Sequence, residues 1–158
     1  MVHIIGIGEF AVSKNPEDSI KTYALASCVG LVVYNIRDQI LGMVHIVLPN
    51  ARDKDDQVAK GRSGYYADMA VPFILSKVFR ELPSDRKDYR ITLYGGAASK
   101  GKEDYFCVGE RNVAEVEQLL AARGMAYNKQ NTGGYCSRTI EAFVKDGRVT
   151  VKMQDMKF

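Results

Sequence analysis

The chain has 158 residues, 46% of them hydrophobic and 26% charged, a balance that excludes disorder for its bulk and suits one domain over residues 1–158. The net charge of +3 is too small to argue for nucleic acid without a clustered basic patch. The densest charged stretch, residues 52–62, mixes Asp53, Asp55 and Asp56 with Lys54 and Lys60, as a solvated loop does. No apolar run approaches the ~18 residues of a membrane span. Met1-Val-His-Ile-Ile-Gly lacks the basic lead and long apolar stretch of a signal peptide, so a cytoplasmic protein without membrane insertion is expected.

In chain order, residues 1–13 read as a short strand broken at Gly6 and Gly8, and Asn15-Pro16 marks a turn. Val29 to Ile36 and Gln39 to Leu48 are β-branched and apolar on both faces, the pattern of central strands covered above and below. Arg37-Asp38 between them is long enough for a tight hairpin. Residues 51–64 are polar and read as a loop. Tyr65 to Leu82 carries a helical stripe of Met69, Phe73, Leu75, Val78 and Phe79, although Pro72 requires the helix to begin close to it or bend there. Arg90 to Tyr94 is a strand that ends at Gly95-Gly96. Gly109 to Arg123 is a helix with Val113, Val116, Leu119 and Leu120 on one side and Gly124 as its stop. Met125 to Asn131 reads as a strand, and Arg138 to Val144 pairs with Arg148 to Met153 over the turn Asp146-Gly147. About seven strands and two main helices, with hairpins at both ends, predict an α+β fold with helices packed on largely antiparallel or mixed sheet.

Two glycine-rich stretches fail as cofactor sites. Gly96 to Lys102 follows a strand as a phosphate-binding loop does, but Glu103 stands where Ser or Thr would hold magnesium. Gly6-Ile-Gly8 loosely matches a dinucleotide fingerprint, but Asn15-Pro16 interrupts before any helix. Three scattered cysteines without C-x-x-C spacing, and two histidines without carboxylates at ligand spacing, predict neither a disulfide framework nor a metal site. No cofactor is expected.

Cys28 and His45 are different. Cys28 sits where a segment of small residues turns into a strand, and His45 interrupts the apolar run Met43 to Val47. If Arg37-Asp38 is a two-residue loop, Ile36 pairs with Gln39 and Cys28 lies opposite Val47. His45 then projects from the same face as a diagonal neighbour, ~7–8 Å away between Cα atoms. A three-residue loop would put the two on opposite faces. A thiol of pKa near ~8.5 needs a base to become a nucleophile, and an imidazole can take its proton and return it to a departing amine. Such bases need an orienting group. Thr22, six residues before Cys28, carries a hydroxyl able to accept from an imidazole nitrogen. By themselves these residues leave two readings open: a nucleophile–base pair, or a packing cysteine beside a structurally satisfied histidine.

The ordered pieces Ile4 to Phe10, Ala26-Ser27-Cys28-Val29-Gly30, Val44-His45-Ile46-Val47-Leu48-Pro49 and Tyr66-Ala67-Asp68 resemble the CheD family, the chemoreceptor glutamine deamidases of bacterial and archaeal chemotaxis. The resemblance continues through Tyr94-Gly95-Gly96-Ala97, Val108 to Val113 and Asn131-Thr132-Gly133-Gly134, and so covers nearly the whole chain. It implies Cys28 as nucleophile, His45 as base and acid, and Thr22 as the support of the histidine. It also implies a three-layer α/β/β fold and hydrolysis of glutamine side chains on the cytoplasmic helices of methyl-accepting chemoreceptors, and some members act on methyl esters. A CheC-type phosphatase of phosphorylated CheY is the implied partner. Ser27, Lys100, Phe106, Tyr135 and Arg138 are the expected substrate- or partner-binding residues, in loops that depart from the commoner family pattern at Ala98-Ser99-Lys100 and Tyr135 to Arg138. Two other functions fit the same residues: an adaptor that keeps the fold without catalysis, and a general cysteine hydrolase of small amides or esters.

Overall fold

The computed structural model describes residues 1–51, 62–99 and 106–156. In chain order its elements are β1 (Val2–Ile5), β2 (Phe10–Ser13), β3 (Ser19–Leu25), β4 (Val29–Asn35), β5 (Ile40–Ile46), α1 (Ala67–Val78), β6 (Tyr89–Gly95), α2 (Val108–Ala122), β7 (Asn128–Thr132), β8 (Cys136–Phe143) and β9 (Val149–Asp155). They form a four-stranded sheet of order β1-β3-β8-β9 and a five-stranded sheet of order β2-β5-β4-β6-β7. Both sheets are mixed, since β1·β3 and β6·β7 are parallel and the other pairs antiparallel.

The doubly apolar strands explain the layering. Side chains alternate along a strand, so an apolar run without alternation needs cover on both faces. All seven residues of β4 are buried. Val29, Leu31 and Val33, with Val44 and Ile46 of β5, pack against Ala70, Ile74 and Leu75 of α1 and Val113, Val116 and Leu120 of α2. The alternate positions Val32, Tyr34, Leu41 and Met43 pack against Ile5, Ile20, Leu25, Ile140 and Ala142 of the other sheet. Helices, five-stranded sheet and four-stranded sheet thus make the three layers of an α+β fold.

The strand count differs from the expectation of about seven for two reasons. The single broken strand over residues 1–13 is two strands in different sheets, β1 and β2. β3 goes unread because Thr22, a polar residue, occupies an inward position between buried Ile20 and Leu25, which blurs the alternation. α1 is shorter than its expected span and runs through Pro72. Most of the polar loop expected over 51–64 lies outside the described residues. No helix among the described residues is long and apolar enough to cross a membrane.

Candidate functional site

The chain crosses between the sheets three times in its first thirty residues, at 6–9 from β1 to β2, at 14–18 from β2 to β3 and at 26–28 from β3 to β4. The first and third of these meet the end of β5 that carries His45. Gly8 N donates to His45 O at 2.8 Å and His45 N donates to Glu9 O at 3.0 Å. The β4–β5 ladder runs in the register that the two-residue hairpin predicts, with Asn35 opposite Ile40, Gly30 opposite His45 and Val29 opposite Ile46. One more step puts Cys28 opposite Val47, and His45 is its diagonal neighbour on the face toward the four-stranded sheet. Gly30, directly opposite His45, is kept small by packing, because a Cβ there would stand 2.8 Å from Leu25 and 2.9 Å from Ile140.

Thr22 reaches the same space from the other sheet. It lies in β3 just before a bulge that separates Thr22 from Leu25 in the pairing with β8, and bulges re-aim side chains in this way. Its Oγ1 is 2.7 Å from His45 Nδ1 and donates to Ile5 O at 2.9 Å. A carbonyl only accepts, so the single hydroxyl proton belongs to the Ile5 bond. The hydroxyl oxygen must then accept from Nδ1–H. His45 is thereby held in the tautomer whose Nε2 carries a lone pair, and that buried Nε2 has no hydrogen-bond partner. His45 is 2% exposed and Thr22 fully buried, whereas Cys28 is half-buried and so borders the outside.

Burial sets the protonation of the pair. It pushes the Cys28 thiol up to about 11. It pushes the His45 imidazole down to about 4, an effect that the charge of Glu9 partly opposes. Both shifts disfavour a standing thiolate–imidazolium and favour a thiol beside a neutral imidazole. A neutral imidazole with an open lone pair is the form that accepts a proton.

Three successive carbonyls fix the Cys28 segment. Ala26 O accepts from Ala97 N at 2.7 Å, Ser27 O from Asn112 Nδ2 at 2.9 Å, and Cys28 O from Gly96 N at 2.9 Å. Gly95 must be glycine here: its φ is +98°, and a Cβ would collide with Cys28 O. Asn112 was missed by sequence reasoning. The available signal is its place on α2, on the buried face with Val113, Val116 and Leu120, where a polar side chain needs a partner.

The remaining candidates separate. Ser27 enters through its backbone carbonyl. Arg138 is buried, and its Nη1 donates to Gly133 O at 3.0 Å and Gly95 O at 3.4 Å, so it ties two glycine turns together from beneath and presents no charge at the surface. Phe106 is 73% exposed and Tyr135 is 52% exposed. Lys100 lies outside the described residues. A cavity of about 430 Å³ lies between Gly96, Ala98, Cys107, Glu110 and Gly133-Gly134, and neither Cys28 nor His45 lines it.

Comparison with known proteins agrees with the resemblance. A chain named "Probable chemoreceptor glutamine deamidase CheD" from Syntrophotalea carbinolica is 38% identical over 151 residues, covering 94% of this chain and 91% of that one. One of the same name from Methanococcus vannielii is 35% identical over 153 residues, covering 96% and 95%. "Probable chemoreceptor glutamine deamidase CheD 1" from Syntrophus aciditrophicus is 31% identical over 149 residues, covering 94% and 92%. The model of the family described as CheD chemotactic sensory transduction matches residues 47–153. With relatives this similar over nearly their whole length, the chain belongs to the CheD family.

Proposed function

We propose that this chain, as one domain over residues 1–158, is a protein-glutamine deamidase of methyl-accepting chemoreceptors, with Cys28 as nucleophile, His45 as base and acid, and Thr22 as the group that orients His45. The names of the relatives support the activity. The observation that carries the chemistry is the Ile5–Thr22–His45 chain, which leaves the Nε2 lone pair open on the face shared with Cys28.

The steps follow from those positions. Sγ attacks the side-chain amide carbon as its proton passes to Nε2. The tetrahedral adduct collapses when the imidazolium gives that proton to the amide nitrogen, which leaves as ammonia, and a thioester remains. Water then loses a proton to Nε2 and attacks the thioester carbon. The C–S bond breaks, the thiol regains its proton, and glutamate is released. Nδ1–H stays on Thr22 throughout, and the imidazolium exists only while the proton is in transit. The high resting pKa of the thiol therefore suits a coupled proton transfer and not a standing ion pair.

Receptor glutamines project from a helical surface, so the enzyme must grip a helix around an accessible mouth. The glycine turns at 95–97 and 133–134, with the exposed rings of Phe106 and Tyr135, supply that rim. The reaction takes place in the cytoplasm, where the receptor helices are exposed. A CheC-type phosphatase competes for the same rim by presenting a helix of its own. The deciding experiment incubates the protein with a glutamine-bearing receptor cytoplasmic fragment and locates Gln-to-Glu conversion by peptide mass mapping. Conversion by wild type and none by Cys28→Ala is the expected result. Conversion by Cys28→Ala at the wild-type rate overturns the assignment, and no conversion by wild type with any glutamine-bearing fragment favours the adaptor.

A further inference from the structure

The β4–β5 ladder has its last regular pair at Val29 and Ile46. Beyond it the strands part, and Val47 N and Leu48 N turn to Tyr65 O at 2.9 and 3.1 Å. At that point one side chain bridges the gap. Asn112, fully buried on α2, donates both protons of its Nδ2, to Ser27 O at 2.9 Å and to Val47 O at 2.9 Å. Both partners are carbonyls, which cannot donate, so the orientation of the amide is settled by chemistry. Its Oδ1 is buried without a partner, so the group is committed to donation.

We infer that Asn112 is a positioning residue for the Cys28–His45 pair: its amide replaces the missing ladder bonds and fixes the peptide before the nucleophile against the strand that carries the base. This rests on the deamidase reading above. Ser27 precedes Cys28, and Val47 lies two residues beyond His45, so one amide spans the two strand ends that carry the reacting atoms. Gly96 N holds the other side of Cys28 through its carbonyl oxygen. With both flanks held, the Cys28 segment keeps a fixed place beside the strand that carries His45. Released from Asn112, the segment at 26–28 keeps its fold contacts through Ala97 and Gly96 and loses its fixed distance from β5. Small misplacements of this kind cost about 100-fold in rate.

The test compares Asn112→Asp, which loses both donors at nearly constant volume, with the milder Asn112→Ser, which keeps one short donor. For each, kcat and KM on the receptor fragment, thermal midpoint and alkylation of Cys28 by a small neutral reagent over pH 6–10 are measured. The alkylation is resolved by peptide mapping because Cys107 is exposed. The expected result is a kcat lowered about 100-fold with KM nearly unchanged, and slower Cys28 alkylation at neutral pH with Cys107 unaffected. In a His45→Ala background Asn112→Ser should add almost nothing to the alkylation defect, since the pairing it secures is already gone. The inference is overturned if folded Asn112→Ser keeps wild-type kcat and alkylation profile, or if its alkylation defect is undiminished without His45. Should Asn112→Asp fail to fold, Asn112→Ser decides. A Cys28→Ala protein that still deamidated would remove Cys28 as the nucleophile, and a wild type that converted no glutamine would remove the deamidase reading, while the alkylation data would continue to judge the clamp.

Discussion

The molecule holds its two histidines against partners of opposite kinds. His3 Nε2 meets the carboxylate of Asp18 at 2.8 Å, and Ser13 Oγ donates to the same oxygen at 2.7 Å. Hydrogen bonds from His3 first, and then from Ser13, hold the Asp18 carboxyl down to about 2. His45 has no carboxylate on its ring. Its Nδ1 is met by the hydroxyl of Thr22, whose proton is committed to Ile5 O. A carboxylate stabilises an imidazolium. A hydroxyl turned away from its own proton fixes the tautomer and adds no such charge. In the buried site that leaves His45 as an uncharged base. Burial already disfavours the charged form of His45, and the hydroxyl of Thr22 fixes its tautomer without adding a charge that would oppose that effect.

The largest expected effect separates the two histidines directly. His45→Ala should lose deamidation by about 100- to 10,000-fold, the usual range for a removed general base, while His3→Ala keeps the wild-type rate. Ammonia release from the receptor fragment measures both. Equal losses would dissolve the contrast.

Exchanging the supports comes next. Thr22→Val leaves Ile5 O and His45 Nδ1 unpaired in the interior, and each orphaned group costs about 1–3 kcal/mol of stability. Deamidation should fall by less than in His45→Ala, since Thr22 orients the base without moving the proton. Thr22→Asp brings an Asp18-like partner to His45. It should raise the imidazole pKa, so that the acid limb of kcat/KM moves from near 4 toward neutral pH. An unmoved acid limb in a folded Thr22→Asp protein would show that the hydroxyl does not set the charge of the ring.

Stability against pH sharpens the same point. The folded value of His45, about 4, lies below its ordinary 6.5. Between those values the unfolded chain binds a proton that the folded chain refuses. Stability should therefore fall as the pH drops from about 6.5 to about 4, by roughly 1.4 kcal/mol per unit. Urea unfolding of wild type and His45→Gln at pH 7, 6 and 5 measures the slope, and the variant should lose most of it. The smallest effect belongs to Asp18. Its depressed value contributes stability that is present above 3.8 and lost as the pH falls through about 2. Asp18→Asn should flatten unfolding curves in that acid window and leave deamidation unchanged.

Local pattern determined a good part of this protein. The doubly apolar runs at 29–36 and 39–48 required cover on both faces, which the helices and the second sheet supply. The Arg37-Asp38 turn set the β4–β5 register, because strand parity is fixed within a hairpin, and that register puts Cys28 and His45 on one face. The stripe of Val113, Val116 and Leu120 announced α2. Only the tertiary structure decided the rest, through contacts between distant segments that no local window contains. β1 and β2 read as one broken strand because residues 6–9 cross between sheets that the sequence does not distinguish. The proton of Thr22 goes to Ile5 O, 17 residues away and in a parallel neighbour strand, and this decides the tautomer of His45. Arg138 looks like a surface cation in sequence, yet it is buried beneath two glycine turns because β8 lies between β3 and β9. Asn112 lies 85 residues from Ser27 and 65 from Val47, and only the packing of α2 on the five-stranded sheet brings its amide to both. Periodicity reports which face of an element is buried. What a polar group on that face meets depends on which elements the fold lays across it, and that is a property of the assembled layers.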